Sequence, residues 1–470
     1  MMKNFTLIPL VLALSACAVG PDFKRPEAGL PGTWQRDATL AQANISAVEV
    51  NWWEKLGDPQ LTSLVQRAGT ANFDVRTAAA RLEQSRSFLR VSKSAELPSV
   101  NGSAGYQRGR NSQVGLEDAS HQQGKAPYEV WQAAADASWE VDLWGHVRRS
   151  VEAAKAEVEL SQAQRDGVML SVAAETASNY IQLRGVQAKL KVARENLDIA
   201  KSSRDLTQER FRNGVTTNLD TSNSAAQVAT IQASIPTLEA RQERLINALS
   251  LLLGEGPRAL KGELQEAKPI PHPAPDVPMG LPSELAQRRP DIREREAELH
   301  RATAEIGVAK ADFYPRITLG ASFGTQALAG SDLGDWNSRQ WSYGPSLYLP
   351  IFQGGRLTGT LELRKHQQQE AAINYQRAVL NAWHEVDDAL TDYKSEQARH
   401  AALLDAVANN TLALKTAQDR YKEGAVDYLN VLSVQKALLA AQSELVDSAT
   451  QASIDRVQLY KTLGGGWPSP

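Results

Sequence analysis

The second half of the chain repeats the first. Residues 209–254 align without a gap on residues 419–464, each position displaced by 210. Arg210 meets Arg420, Phe211 meets Tyr421, Gly214 meets Gly424, Leu219 meets Leu429, Leu249 meets Leu459, and Leu253-Gly254 meets Leu463-Gly464. With small changes of offset the agreement continues upstream, where Asp142-Leu143-Trp144 faces Pro350-Ile351-Phe352 and Pro98 faces Pro315. Solenoid repeats have periods of roughly 20 to 50 residues, so a unit of about two hundred is not one of them. One architectural half is used twice, and one pseudo-symmetric body follows more naturally than separate globules.

The first residues bear on the compartment. Met1-Met2-Lys3 precedes an apolar run from Phe5 to Leu14 and then Ser15-Ala16-Cys17. That is the shape of a secretory signal, and the run is too short to span a bilayer. Leu14-Ser15-Ala16-Cys17 resembles the bacterial lipobox, which implies that Cys17 becomes the lipidated first residue of the mature chain. By the same resemblance, Ala18 after the cysteine favours sorting to the outer membrane. Cys17 is the single cysteine, so stability has to come from packing or assembly and not from disulfides. A lipid helps hold a protein at a membrane surface, and stable anchoring takes a second signal. Beyond residue 20 no stretch approaches the roughly eighteen apolar residues of a transmembrane helix, which excludes a helical membrane protein. The net charge is only -3, with acids and bases interspersed, so nothing points to nucleic acid. Apart from the lipid on Cys17, no cofactor and no metal is expected.

Ala, Gln, Leu and Arg are abundant, a composition of long helices. After a Pro/Gly-rich extended segment, helix formers without proline run from Leu61 to about Glu96, and Pro98 ends them. From His146 to about Asn213 there is no proline, so one helix there would reach about 100 Å at 1.5 Å per residue. Leu183, Val186, Leu190, Ala193, Leu197 and Ala200 step by three and four, the spacing of a coiled-coil seam. Gly214 breaks the helix, a second helical stretch returns from Leu219 to Leu253-Gly254, and Gly424 does the same in the second copy. Each glycine marks the tip of a long helical hairpin. The reading divides the chain into a signal peptide at 1–16, a lipidated extended segment at 17–60, a first repeat at 61–260, a proline-rich linker at 261–282 and a second repeat at 283–467. The second repeat is expected to open with a helix from Ser283 to Phe313 that bends at Pro290.

Between the helices the period changes to two. From Tyr128 to Leu143, Trp131, Ala133, Ala135, Ala137, Trp139, Val141 and Leu143 share one face, and a mostly polar set including Gln132, Asp136, Ser138 and Glu140 shares the other. Four strands are expected, at about 98–110, 128–143, 316–328 and 341–352. Trp131 and Trp139 lie eight residues apart, about 26 Å along a strand and near 20 Å in height after tilting, which matches the spacing of two membrane girdles. A soluble sandwich would need a second sheet, and no further strands exist to form one. Four strands cannot close a barrel alone, and edges exposed to lipid are not tolerated. Two, three or four protomers would give eight, twelve or sixteen strands.

At this point the residues carry a specific likeness. The lipobox followed by Val19-Gly20-Pro21-Asp22-Phe23-Lys24-Arg25-Pro26, Trp52-Trp53 with Asp58-Pro59-Gln60-Leu61, Trp139-Glu140-Val141-Asp142-Leu143-Trp144-Gly145, Gln287-Arg288-Arg289-Pro290-Asp291-Ile292, and the closing Leu463-Gly464-Gly465-Gly466-Trp467 resemble the TolC-like outer membrane factors, in particular the NodT-type lipoprotein branch that serves RND drug-efflux systems. The resemblance implies a mixed α/β membrane protein. It implies a homotrimer with one shared twelve-stranded barrel, continued by a helical coiled-coil periplasmic tunnel. It also implies outer membrane lipid, a periplasmic adaptor and an inner-membrane RND pump as partners, with the channel itself passive. Carried over residue by residue, the adaptor-contacting hairpin tips hold Arg210, Phe211, Gly214, Arg420, Tyr421 and Gly424. The periplasmic gate would involve Leu429, Leu219, Asp220 and Asp427. Asn430 and Ser433 stand where relatives often carry gate aspartates, which puts an acidic ring from the second hairpin in doubt.

Three other readings compete. For an enzyme the candidates are His384, Glu385, Asp387 and Asp388, but on a helix they fall on different faces and lack a metal-binding spacing. A lipid-anchored coiled-coil scaffold would explain Cys17 and the helices, and leaves the Trp131 to Trp139 face unexplained. A third keeps the channel and changes its cargo to secreted protein or metal.

Overall fold

The computed structural model describes residues 18–27, 51–114, 126–271 and 288–465. The signal segment, Cys17 and residues 272–287 of the proline-rich region lie outside these. Among the described residues the long elements obey the duplication to the residue. Helix α3, His146–Arg212, and helix α6, Arg356–Lys422, each contain 67 residues. Their return partners, α4 Asn218–Leu252 and α7 Tyr428–Thr462, each contain 35. Every one of these boundaries is displaced by 210, as 356 is from 146. Helix α4 passes through Pro236 on an exposed face, where the missing N–H removes one bond of the ladder without breaking the helix.

The chain forms two compact units, and each takes material from both repeats. The first comprises the described parts of Met1–Pro26, Leu82–Ser161 and Arg295–Tyr375. Its centre is one antiparallel sheet in sequence order, with β1 Ser99–Gly109, β2 Tyr128–Val141, β3 Arg316–Ala327 and β4 Arg339–Tyr348. The hairpins β1-β2 and β3-β4 belong to different repeats and meet along β2-β3, where Ala135 faces Phe323 and Trp139 faces Leu319. The fourth strand lies at Arg339–Tyr348 and not at 341–352. Pro350 has no N–H to pair, so the chain leaves the sheet before it.

The second unit comprises the described parts of Glu27–Arg81, Gln162–Glu294 and Gln376–Pro470. Its core gathers Trp52, Leu61, Leu64, Tyr180, Ile181, Leu183, Ile246, Leu249 and Tyr460. The expected seam is buried along its whole length, with Leu183, Val186, Leu190, Ala193, Leu197 and Ala200 all below a tenth exposed. At roughly 1.5–3 kcal/mol for each large aliphatic side chain, that burial holds helices that propensity alone would leave marginal. The Trp52-Trp53 and Asp58-Pro59 motifs serve this core. Trp52 stacks on Tyr460 with centroids 5.5 Å apart. Asp58 caps α1, Pro59–Ala71, through the N–H groups of Gln60 and Leu61, and accepts the Tyr180 hydroxyl at 2.6 Å.

Two expected helices are cut differently. The run from Leu61 to Glu96 is two helices, because Asn72 adopts an extended ψ of 134° after α1. Its Oδ1 accepts the N–H groups of Asp74 and Val75 at 2.8 and 3.2 Å, which starts α2, Phe73–Ser94, and its Nδ2 donates to the Leu252 carbonyl. Arg288 is helical, Arg289 interrupts the run, and Pro290 opens α5, Pro290–Ala311, at a first position where its lost N–H costs nothing; the expected start at Ser283 lies outside the described residues. The buried Arg289 just before it donates to the Thr462 carbonyl at 2.9 Å and pairs with Asp291 and Glu385 at 2.8 and 2.6 Å, locking the end of α7.

Candidate functional site

The sheet has two unlike faces, and its register assigns every strand residue to one of them. Residues directly opposite in an antiparallel ladder share a face. One face is Val100, Ala104, Tyr106 on β1, then Trp131, Ala133, Ala135, Ala137, Trp139, Val141 on β2. It continues with Ile317, Leu319, Ala321, Phe323 on β3 and Leu347, Pro345, Tyr343, Trp341 on β4. The reverse face carries Ser99, Asn101, Ser103, Gln107, Gln132, Asp136, Ser138, Glu140, Thr318, Ser322, Gln326, Ser342 and Ser346. The two-residue period read on β2 therefore holds across all four strands. Among the described residues most of the apolar face is exposed: Val100 is 70 % exposed, Phe323 59 %, Trp341 69 % and Tyr343 79 %. Contiguous exposure of this kind marks a surface for lipid or another chain. Among the described residues the strands β1 and β4 each leave one ladder edge unpaired.

Both tryptophans singled out for a girdle lie on the apolar face. Trp131 packs on Tyr106 with centroids 4.4 Å apart, and Trp139 sends its Nε1–H to the Glu96 carbonyl at 3.1 Å. Trp139, an aromatic residue with a bonded polar handle, is of the type that sits at a membrane interface. The stacked pair Trp341 and Tyr343 extends the set on β4.

Beyond the end of β2, the described N-terminal residues are tied down. The Val19 N–H donates to the Trp144 carbonyl at 3.0 Å, and Trp144 stacks on Tyr314. Gly145 has a left-handed φ of 85°, and a side chain there would meet Ala18 at 2.7 Å. Asp22 accepts from the buried Arg149 at 2.6 Å, and Phe23 stacks on the His300 ring with centroids 4.4 Å apart. His300 faces Glu152 and Glu159 at 3.3 and 3.5 Å. The bond with Glu159, joined by Glu152, outweighs burial and raises its pKa above the ordinary value. Cys17, one residue before Ala18, lies outside the described residues.

The hairpin tips are built from paired caps. Gly214 and Gly424 take φ of 72° and 77°, left-handed values that a glycine adopts without strain. In both tips the glycine N–H reaches back three residues, to Phe211 and to Tyr421, and the following N–H reaches Arg210 and Arg420, a Schellman closure. The two starts that follow differ. Thr217 and Asp220 form a reciprocal capping box on α4. Asp427 takes the same position on α7 with no side-chain cap bond, and the Ser433 hydroxyl folds onto the Asn430 carbonyl. Burial pushes the Asp220 pKa up, but bonds from Thr216 and Thr217 outweigh it and hold the carboxylate below its usual range.

The tips also differ in what they expose. Leu219 and Leu429, first-turn residues of the return helices, are 68 % and 64 % exposed. Tyr421 and Tyr428 are buried against each other, whereas Phe211 is exposed. Burial, with the Tyr421 and Asp220 neighbours adding, pushes the Tyr428 hydroxyl up to about 12. Arg210 donates to the carbonyls of Tyr421 and Lys422, both at 3.1 Å, and its guanidinium lies 4.8 Å from the Tyr421 ring centre. Sequence reasoning listed Arg210 as a tip surface and missed this bond, which the pairing of Arg with an aromatic neighbour in both copies could have suggested. Glu385, an enzyme candidate, is engaged by Arg289. Among the described residues no cluster of three metal-ligating side chains exists, and no helix is long and apolar enough to cross a membrane.

These features agree with what the chain is similar to. The family described as "Outer membrane efflux protein" matches residues 64–255 and 281–465, one segment in each repeat. The toluene efflux pump outer membrane protein TtgF of Pseudomonas putida is 31 % identical, covering 99 % of this chain and 98 % of that one. The outer membrane protein OprJ of Pseudomonas aeruginosa is 31 % identical, covering 97 % of this chain and 95 % of its own. Among solved structures the outer-membrane channel OprN aligns at a TM-score of 0.89 and 33 % identity, covering 96 % of this chain and all of that one. Relatives and structural neighbours are efflux channel proteins, not enzymes. With the family matched in both repeats and a two-faced sheet suited to a bilayer, the chain belongs to the outer membrane efflux proteins.

Proposed function

We propose that the protein is the passive exit duct of a tripartite efflux pump, assembled as a homotrimer whose twelve strands close one barrel through the outer membrane. The observation that carries this reading is a four-stranded sheet with, among the described residues, a largely exposed apolar face, a polar face and two unpaired edges. Open edges cannot face lipid, so β4 of one copy pairs with β1 of the next, and the polar face of Ser103, Asp136 and Ser322 lines the lumen. The helical hairpins continue the duct through the periplasm. Their tips, around Gly214 and Gly424, meet a periplasmic adaptor that links the channel to an inner-membrane RND pump. Leu219 and Leu429 form an apolar constriction there, with Asp220 and Asp427 near it and Asn430 and Ser433 supplying neutral polar surface. Cys17 carries lipid. Its neighbour Ala18 sits beside Gly145 just past the end of β2, a place suited to a chain entering the membrane surface.

Small organic molecules are the cargo class, since relatives are named for toluene, solvent and antibiotic efflux and for pyoverdine export. Single-channel recording of the purified protein in planar bilayers tests the reading. Rare openings in the wild type, with more frequent openings after Leu429→Ala, are expected. A protein that inserts and never conducts, with either residue, would overturn it.

A further inference from the structure

We propose that the joint between neighbouring protomers at the periplasmic tips is a copy of the joint between the two repeats inside one protomer, with Arg420 as its latch. The inference rests on the trimeric reading above. Inside the protomer, Arg210 at the end of α3 donates to the last carbonyls of α6, those of Tyr421 and Lys422, and lies over the Tyr421 ring. The final carbonyls of a helix lack intrahelical partners and carry its negative end, so a guanidinium there gains charge-assisted bonds. The ring beneath adds a cation–π contact.

Displaced by 210, the same arrangement has Arg420 as donor, the carbonyls of Phe211 and Arg212 as acceptors, and the Phe211 ring as platform. Within one chain that second set is unmade. The Arg420 side chain is exposed and has no hydrogen-bond or ion-pair partner among the described residues, its carbonyl alone being taken by the Ala425 N–H. Phe211 is 45 % exposed where its counterpart Tyr421 is 4 % exposed. In a closed ring of alternating repeats, the α3 end that follows each α6 belongs to the next copy. Arg420 therefore reaches Phe211 and Arg212 of a second copy of this chain.

Beside the sheet a separate pair of residues shows the same pattern. Trp144 of the first repeat stacks on Tyr314 of the second, with centroids 4.8 Å apart. The duplicated positions are Phe352 and Leu97, which are 86 % and 69 % exposed. Each gains cover when Phe352 of one copy meets Leu97 of the next. The two tip joints are not equally strong. Tyr428 packs on Tyr421 at 5.7 Å inside the protomer, but its counterpart is Asn218, so the joint between copies lacks a second ring. The weaker joint is the one that parts when the tips open.

Full-length protein in lipid nanodiscs tests this, with native mass measured on the same samples. In Phe211→Cys/Arg420→Cys, a short bis-maleimide should link chains into dimers and trimers, judged against each single variant. In Arg210→Cys/Tyr421→Cys it should link within one chain and give no ladder. Arg420→Ala should raise opening frequency in planar bilayers at least about ten-fold, the equivalent of one charge-assisted bond of roughly 1.4 kcal/mol. Arg420→Lys should restore closure only in part, because it has no planar fork. If Arg420→Ala fails to assemble, the cross-link decides. A trimeric mass without the ladder overturns the latch alone, as does a trimeric Arg420→Ala that opens like the wild type. A monomeric mass overturns the channel reading and the latch with it.

Discussion

Placing a charge on each face of the sheet in turn separates a membrane barrel from every soluble alternative. Ala135 is at the middle of β2, opposite Gly102 and Phe323, on the apolar face. Ser322 is at the same height on β3, opposite Asp136 and Ser342, on the polar face. An arginine facing lipid at the midplane of a barrel costs about 2–4 kcal/mol. That is between about thirty-fold and about a thousand-fold in the insertion equilibrium per chain, and a trimer carries it three times. Ser322→Arg puts its guanidinium in the lumen beside Asp136 and should cost less than about 1 kcal/mol. The assay is the urea dependence of folding into lipid vesicles, followed by protease protection of β1–β4. Ala135→Arg should fail to reach the protected state at urea concentrations where Ser322→Arg matches the wild type. Equal behaviour of the two variants, or a reversed order, would refute the assignment of faces and with it the lipid-facing sheet.

Three further outcomes follow from the same geometry. The raised pKa of His300 means that its stabilisation is fully present below the ordinary value of 6.5 and is lost as pH rises through the folded value. The protection of residues 19–25 against hydrogen exchange, corrected for the intrinsic rate at each pH, should therefore fall as pH rises above about 6.5, and His300→Gln should abolish that fall. The depressed pKa of Asp220 contributes stability above the ordinary value of 3.8, lost as pH falls through the folded value. Thr217→Ala should accordingly loosen the first tip by about 1 kcal/mol in exchange measurements, while Asp427→Ala, which removes no side-chain cap bond, should change the second tip far less. Finally, moving the β2-β3 pairing by the offsets of the duplication, 208 from Asp142 to Pro350 and 217 from Pro98 to Pro315, sets Tyr343 of one copy opposite Tyr106 of the next. A Tyr106→Cys/Tyr343→Cys protein should cross-link between chains on oxidation, and absence of linkage in a trimer would contradict that register.

The elements governed by simple periodicity were legible in the sequence. The two-residue alternation from Trp131 to Val141 placed β2 and its faces, and the steps from Leu183 to Ala200 placed a seam that is buried throughout. Both depend only on which side of a regular element an apolar residue falls. Breaks set by one side chain's bonds were not legible: Asn72 ends one helix, caps the next through its Oδ1, and is fixed there by donating its Nδ2 to Leu252, far away in sequence. Pro290 was seen, but the interruption at Arg289 just before it coincides with the bond of that side chain to the end of α7, a contact far away in sequence. The site divides the same way. The glycine tips followed from local pattern and the leucines beside them from the family resemblance, whereas the bond from Arg210 to the end of α6 joins residues more than two hundred positions apart and required coordinates.

The most direct measurement is the native mass of the lipidated protein released from a membrane-like nanodisc. Three chains are expected, since four strands each then make twelve and every edge is paired. One chain would leave two lipid-exposed edges and contradict the barrel. Two or four chains would contradict the threefold ring on which the gate and the Arg420 latch are built.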